Sequence, residues 1–224
     1  MARSDQIVEP AIELGDVYQV GPHVVACGDL ERGHAQALLA FVGTDGTMVY
    51  TDPPWNQGLA TQFRRMVDGE NAVVPEFDAL IRAAFAAYAM VPGPVFVEMG
   101  HQHQPSMALW GRAVGLQVNN EWVVPYGKNT SCVTLLGRLG SPFPTMEPPG
   151  HLTGVGLVAW ALRCQAACPR VFDPCLGLGT TAAACLATDR TLVGMELNPL
   201  RLAVAVGRLC RRLKVEPRKI GRLM

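Results

Sequence analysis

Asp52-Pro53-Pro54-Trp55 follows directly on the apolar run TMVYT, so a carboxylate, two donorless residues and a flat aromatic leave one strand in a rigid turn. Both prolines lack an N–H and fix φ, which leaves the carbonyls around them free to accept hydrogen bonds. When a neutral aryl amine attacks the methyl group of a sulfonium, its nitrogen must become tetrahedral and positive. Acceptors at Asp52 and the Pro53 carbonyl would stabilise that charge more than the ground state. Trp55 adds a face on which an extruded base can stack. An Asp-Pro-Pro turn capped by a packing tryptophan also serves as an ordinary structural turn, so these four residues point to chemistry only in company with a second site.

The second site is FDPCLGLGTT at 172–181, which runs strand, acid, glycine-rich turn, helix start. Gly177 and Gly179 remove side chains where the backbone must approach a ligand, and Thr180-Thr181 begin a helix whose free N–H groups face the same space. Glu196 ends the next apolar run, TLVGME, and an acid there can accept from both hydroxyls of a ribose. Taken alone, the turn and the distal acid fit a nicotinamide, a flavin or an adenosylmethionine ligand. Three features favour adenosylmethionine: Asp173 at the strand end can balance a cation, GLG lacks the third glycine of a dinucleotide fingerprint, and no basic residue in the turn meets a pyrophosphate.

Regular elements must position these residues. Apolar runs alternate with amphipathic stretches almost from end to end, the pattern of βα units around a mostly parallel sheet. Strands are expected at His23–Cys27, Thr47–Thr51, PVFVEM, RVFD and TLVGME. Helices are expected through HAQALLAFV, PEFDALIRAAFAAYAM, SMALWGRAV, VGLVAWALRCQAA and TTAAACLA, and a last one from Leu200 to about Leu213. The stretch after Trp55 reads as a loop. The two runs at 116–139, separated by Gly127-Lys128-Asn129, read as an antiparallel hairpin, and the proline-rich 140–150 as a loop or hinge.

With 224 residues, 49% of them apolar and 17% charged, the chain suits one compact α/β core and excludes a disordered or fibrous protein. No apolar run reaches membrane-spanning length and MARSDQIVEP carries no leader pattern, so the cytoplasm is the expected setting and a membrane partner is not expected. The seven cysteines lack paired CxxC spacing and read as buried thiols, Cys164 and Cys168 included. His101 and His103 have no third ligand at a suitable spacing, and no metal is expected. Net charge is zero, but the tail carries Arg208, Arg211, Arg212, Lys214, Arg218, Lys219 and Arg222 against Glu216 alone. That tail reads either as a phosphate-facing patch or as a solvated last helix with a frayed end.

Taken together, these residues resemble the DNA amino-methyltransferases, the family that makes N6-methyladenine or N4-methylcytosine. TDPPWNQG at 51–58 is similar to its catalytic DPPY/DPPW motif, DPCLGLGTT at 173–181 to its DPFxGSGTT cofactor motif and GMELNP at 194–199 to its GIExxP segment. GDVYQVGPHVVACGD at 15–29 resembles the lead-in of phage and bacterial members, and HLTG at 151–154 stands in the place of HPTQKP. The catalytic motif precedes the cofactor motif, as in the permuted β-class. The resemblance implies a Rossmann-like class I fold, a seven-stranded mostly parallel sheet with an antiparallel edge hairpin. It implies one domain over 1–224, with a catalytic half at about 15–140 and a cofactor half at about 150–213. It further implies S-adenosylmethionine as cofactor and DNA as partner in a bacterial or phage-infected cell, in a role of the restriction-modification kind, with a homodimer as one assembly.

By the same resemblance Asp29 lies near the cofactor's adenine, Asp173, Gly177 and Gly179 near its methionine part and Glu196 at its ribose, with Pro174, Thr180, Thr181 and Asn198 also among the cofactor-binding residues. His151 and Thr153 are what remains of the HPTQKP contact. Cys175 stands where the family has Phe, which changes a wall of the site. Asp52 to Trp55, with Asn56, meet the target base. Between Gly100 and Gly150 there is room for little beyond the hairpin, so no sizeable target-recognition domain and only weak sequence preference are expected. Lys128, Asn129 and Arg138 are the candidate nucleic-acid contacts there, with His101, His103 and Arg112 beside them. The alternatives are methylation of RNA adenine, of cytosine N4 or of a glutamine side chain, and a non-catalytic methylase-like partner subunit. A dehydrogenase of Rossmann type would leave DPPW without a role.

Overall fold

The computed structural model describes residues 11–126, 129–138 and 147–224. Its strands are β1 (Asp16–Val20), β2 (His23–Cys27), β3 (Thr47–Thr51), β4 (Val95–Gly100), β5 (Leu116–Tyr126), β6 (Asn129–Arg138), β7 (Arg170–Asp173), β8 (Thr191–Glu196) and β9 (Arg218–Arg222). They form one sheet in the order β5-β6-β4-β3-β7-β8-β2-β1-β9. The pairings β4–β3, β3–β7, β7–β8 and β8–β2 are parallel, and the outer ones are antiparallel.

The parallel centre is buried on both faces, which is why β3 and β4 read as unbroken apolar runs rather than alternating ones. One face packs on α1 (His34–Val42), α3 (Phe77–Tyr88) and α4 (Gln104–Ala113) through Leu38, Ile81, Phe85 and Met107. The other packs on α5 (Gly154–Cys164), α6 (Thr180–Ala187) and α7 (Pro199–Leu213) through Leu157, Leu162, Cys185 and Leu209. From β3 the chain passes to β4 on one side, and from β7 to β8 on the other. These neighbours lead away in opposite directions, and such a switch opens a crevice at the carboxyl ends of the strands. Thr51 and Asp173 end the two strands there.

The sheet corrects three expectations. It has nine strands and is mixed, not seven-stranded and mostly parallel. The addition is at the β2 edge, where β1 folds back through a Gly21-Pro22 turn and β9 pairs with β1. Gly21 takes φ +57° in that turn, a conformation glycine adopts without strain. The basic tail is therefore not a frayed helix. Lys214, at φ +58°, ends α7, and three of the tail's cations, themselves exposed, pair with groups of the fold. Lys219 Nζ lies 2.6 Å from Asp16, Arg218 donates to Gln19, and Arg222 donates to Glu13 and the Leu14 carbonyl. Third, the stretch after Trp55 is a helix, α2 (Gln57–Asp68), started by Asn56, whose side chain accepts from Leu59 N–H at 2.9 Å. The expected loop at 140–150 falls largely outside the described residues. Among the described residues no helix is long and apolar enough to cross a membrane.

Candidate active site

A cleft of about 600 Å³ opens at the carboxyl ends of the central strands, within the range of small-ligand sites. Asp52, Pro53, Pro54 and Trp55 line one side of it. Asp173, Pro174, Gly177, Thr180, Thr181 and Glu196 line the other, and Asp29 closes a third. Two segments some 120 positions apart thus share one cavity because β3 and β7 are paired, with Val49 opposite Phe172.

On the strand-β7 side the turn is held from below. Glu196 Oε2 accepts from Gly177 N–H at 2.7 Å and its Oε1 from Asn198 N–H at 2.9 Å, while Asp173 Oδ1 accepts from Cys175 N–H at 3.0 Å. Gly177 has φ +57°, and a Cβ there would lie 3.0 Å from the Arg201 guanidinium. On the strand-β3 side Trp55 Nε1 donates to Asp52 Oδ1 at 2.6 Å, and Oδ2 accepts no hydrogen bond among the described residues. The Pro53 carbonyl accepts no backbone hydrogen bond among the described residues.

The cavity is rich in carboxyls, and burial raises the pKa of several of them. Burial lifts Asp173 to about 6. Asp52, although open to the cleft, is pushed up to about 7 by the protein mass around it and by the nearby Glu98 charge, against the Trp55 bond that lowers it. Burial also raises Glu196 and Glu98. A cation entering this space would meet charges that the protein alone leaves unbalanced.

Sequence reasoning missed four contributors. Glu98 is buried in β4 and accepts from Tyr50 Oη at 3.0 Å and Ser131 Oγ at 2.9 Å; a single acid within PVFVEM was the available signal. Tyr126, at the hairpin end, lines the cleft and packs on Trp55 with ring centroids 4.6 Å apart and planes at 56°. His103, read as a surface or nucleic-acid candidate, donates to the Trp55 carbonyl and packs on Phe77 and Trp110, so it pins the acceptor loop. Arg64 lines the cleft from α2, a segment read as loop.

Other expected residues lie elsewhere. Gly179 caps α6 at φ +93°, and Asn198 caps α7 by accepting from Leu200 and Arg201 N–H; neither lines the cleft. His151 is exposed and Thr153 starts α5, also off the cleft wall. Asn56 is engaged as the α2 cap. Arg138 pairs with Leu116 and donates to the Ala89 carbonyl, at the end of the sheet opposite the cleft, so that position is no contact to a base held there. Asn129 pairs with Tyr126 at the hairpin end nearer the cleft, and Lys128 lies outside the described residues.

No protein-family model and no curated relative matches the sequence. Solved structures do share its fold. M1.HpyAVI superposes with TM-score 0.58 at 18% identity, over 83% of this chain and 97% of that one. TTHA0409 from Thermus thermophilus, a putative DNA modification methylase complexed with S-adenosyl-L-methionine, gives 0.57 at 18%, over 84% and 93%. PvuII DNA methyltransferase, described as cytosine-N4-specific, gives 0.56 at 13%, over 84% and 91%. The α/β architecture is thus one found in DNA methyltransferase structures.

Proposed function

We propose that this chain, as a single β-class methyltransferase domain, transfers a methyl group from S-adenosylmethionine to N6 of adenine in DNA, with little sequence preference. The observation that carries this reading is that one cleft is lined both by a rigid acceptor loop at 52–55 and by an acid-rich glycine turn without basic residues at 173–181. The residues suit the cofactor: three partly unbalanced carboxyls face a site that offers no cation to a phosphate within the turn. When bound, S-adenosylmethionine supplies a methyl group on a sulfonium, a leaving group that departs neutral. Fold relatives crystallised with that cofactor support the assignment. A cytoplasmic setting in a bacterial or phage-infected cell is the one the resemblance implies for such an activity.

Each residue then has a task. Glu196 keeps lone pairs beyond its two backbone bonds for ribose hydroxyls. Asp173 offers its second oxygen to the cationic end of the ligand. The free Asp52 oxygen and the Pro53 carbonyl accept from the amine, orient its lone pair toward the methyl carbon and stabilise the charge that grows on nitrogen. A carboxyl with pKa about 7 is also matched to taking the proton that nitrogen sheds as the N–C bond forms. Trp55, held by its indole and its carbonyl, presents a fixed stacking face, and Tyr126 beside it bounds the slot. Tyr126→Ala is expected to raise the dissociation constant for DNA by about tenfold, the worth of one aromatic–base stack, and to leave the cofactor dissociation constant within about twofold, as filter binding and calorimetry would measure.

The carboxyls also set a pH signature. In the folded protein Asp173 holds its proton to about pH 6 and Asp52 to about pH 7, whereas both release it near 3.8 when unfolded. Folded pKa values above the unfolded ones mean that, from these groups, the ligand-free protein is most stable below about pH 4 and loses that contribution as pH rises through about 6 and 7. A cationic ligand must displace these protons, so cofactor affinity should fall about tenfold or more between about pH 8 and pH 6. Melting temperature against pH, with and without cofactor, reads both effects. An affinity independent of pH would overturn the placement of the cation among these groups.

Asp52 favours adenine within the resemblance, where serine goes with cytosine N4 and asparagine with glutamine. The cytosine-N4 specificity of one fold relative keeps that base as the second reading. Mass spectrometry of nucleosides from single- and double-stranded DNA and RNA incubated with enzyme and cofactor decides among them. N6-methyldeoxyadenosine is expected. N4-methyldeoxycytidine would overturn the base, modification of RNA alone would overturn the polymer, and cofactor binding with no product would mark a non-catalytic partner subunit.

A further inference from the structure

We propose that Arg64 is a positioning residue that couples cofactor occupancy to the placement of the amine-accepting loop. The inference rests on the methyl-transfer reading of the cleft. Helix α2 leaves the acceptor loop at Asn56, contributes Leu59, Ala60 and Phe63 to the cleft wall, and reaches the opposite, cofactor-side wall at Arg64. Eight residues of helix span about 12 Å, a stiff rod between the two ends of the reaction.

At that far end the contact is a fork. The Arg64 side chain is 9% exposed, its Nη1 donates to Asp29 Oδ2 at 2.7 Å and its Nη2 to Asp29 Oδ1 at 3.2 Å and Glu31 Oε2 at 2.7 Å. Nη1 also reaches Asp68 on α2 itself at 3.3 Å. A second tie lies one residue earlier, where the Arg201 guanidinium sits 5.0 Å over the Phe63 ring while its Nε lies 3.9 Å from Glu196. Both ties join α2 to groups assigned to the cofactor's nucleoside, the adenine end at Asp29 and the ribose at Glu196.

Asp29 is where the coupling is made, because Arg64 occupies both of its oxygens. Oδ1 already accepts from Glu31 N–H at 3.0 Å and from Arg64 Nη2, and Oδ2 accepts from Arg64 Nη1, with the exposed Arg32 Nε 3.5 Å away as an ion pair. A ligand amino group that bonds to Asp29 must share or replace an Arg64 contact. A ligand that draws on either oxygen competes with the Arg64 fork, and α2 carries a shift of that fork to Asn56 and the loop before it. Buried and bidentate, the pair holds one geometry, so an occupied nucleoside site and an aligned acceptor loop form one state.

The test is amide hydrogen exchange with and without S-adenosylmethionine, together with kcat at saturating cofactor and DNA, on the wild type, Arg64→Met and Arg64→Lys. In the wild type, cofactor should slow exchange across residues 52–68. Arg64→Met should still bind cofactor within about tenfold, lose that protection and drop kcat by about tenfold to a hundredfold, the cost of misplacing reacting groups by about 1 Å. Arg64→Lys, which keeps a charge for Asp29 but not the fork, should recover part of the protection and of kcat. Should Arg64→Met fail to fold, Arg64→Lys alone carries the test, with an expected loss of about tenfold. Unchanged kcat in a folded variant, or cofactor-induced protection of 52–68 that survives without Arg64, would overturn the coupling and leave the methyl-transfer reading standing. A wild type that binds no cofactor would overturn that reading and the coupling with it.

Discussion

Asp52→Ala is expected to lower kcat for methyl transfer by about a thousandfold while shifting the cofactor dissociation constant by less than about threefold. The carboxylate has two tasks at one place. Oδ1 accepts from the Trp55 indole at 2.6 Å, which fixes the ring, and in the proposed transfer the other oxygen accepts from the amine as positive charge grows on it. Alanine removes both, and nothing else in the loop replaces them except the Pro53 carbonyl. Asp52→Asn keeps a carbonyl oxygen without the charge and should lie between the two. Stability should move the other way. A carboxyl held protonated to about pH 7 destabilises the ligand-free fold above that pH, so Asp52→Ala should melt at or above the wild type at about pH 8. Single-turnover kinetics, calorimetry and thermal melts separate these effects.

Glu196→Ala should show the opposite pattern: a cofactor dissociation constant raised by about tenfold to a hundredfold, with kcat at saturating cofactor within about threefold of wild type. Its two oxygens also tie Gly177 N–H and Asn198 N–H, so alanine leaves two backbone donors without a partner and loosens the turn itself. The loss should therefore sit near the upper end of that range and be accompanied by a lower melting temperature. Glu196→Gln separates the contributions, because an amide oxygen can keep one backbone tie but loses the charge. A variant at 196 that spares binding and abolishes turnover, with Asp52→Ala doing the reverse, would mean that the two ends of the cleft have been exchanged.

The elements that were legible are those whose pattern is local. TMVYT, RVFD and TLVGME announce buried strands by composition, and each ends in or just before an acid that lines the cleft. The hairpin at β5–β6 was visible for the same reason. By contrast RKIGR has one apolar residue among charges, and only pairing with β1, some two hundred positions earlier, makes it a strand. Helix α2 was hidden by the prolines before it, which stop β3 but place no constraint on a helix capped by Asn56. Arg64 was hidden with it, since its partner Asp29 lies 35 positions away.

Residue order alone determined the chemistry on offer: a proline-stiffened acceptor loop after one strand, a glycine turn without basic residues after another, and an acid closing a third. These are contiguous motifs, and their geometry follows from φ restriction, missing side chains and strand periodicity. Tertiary structure decided which of them meet. Pairing of β3 with β7 puts both motifs on one cleft, burial among like charges raises their carboxyls, and α2 ties the 52–55 loop to Asp29 through Arg64. Distance and dielectric are properties of the packed chain, and no local pattern of residues encodes them.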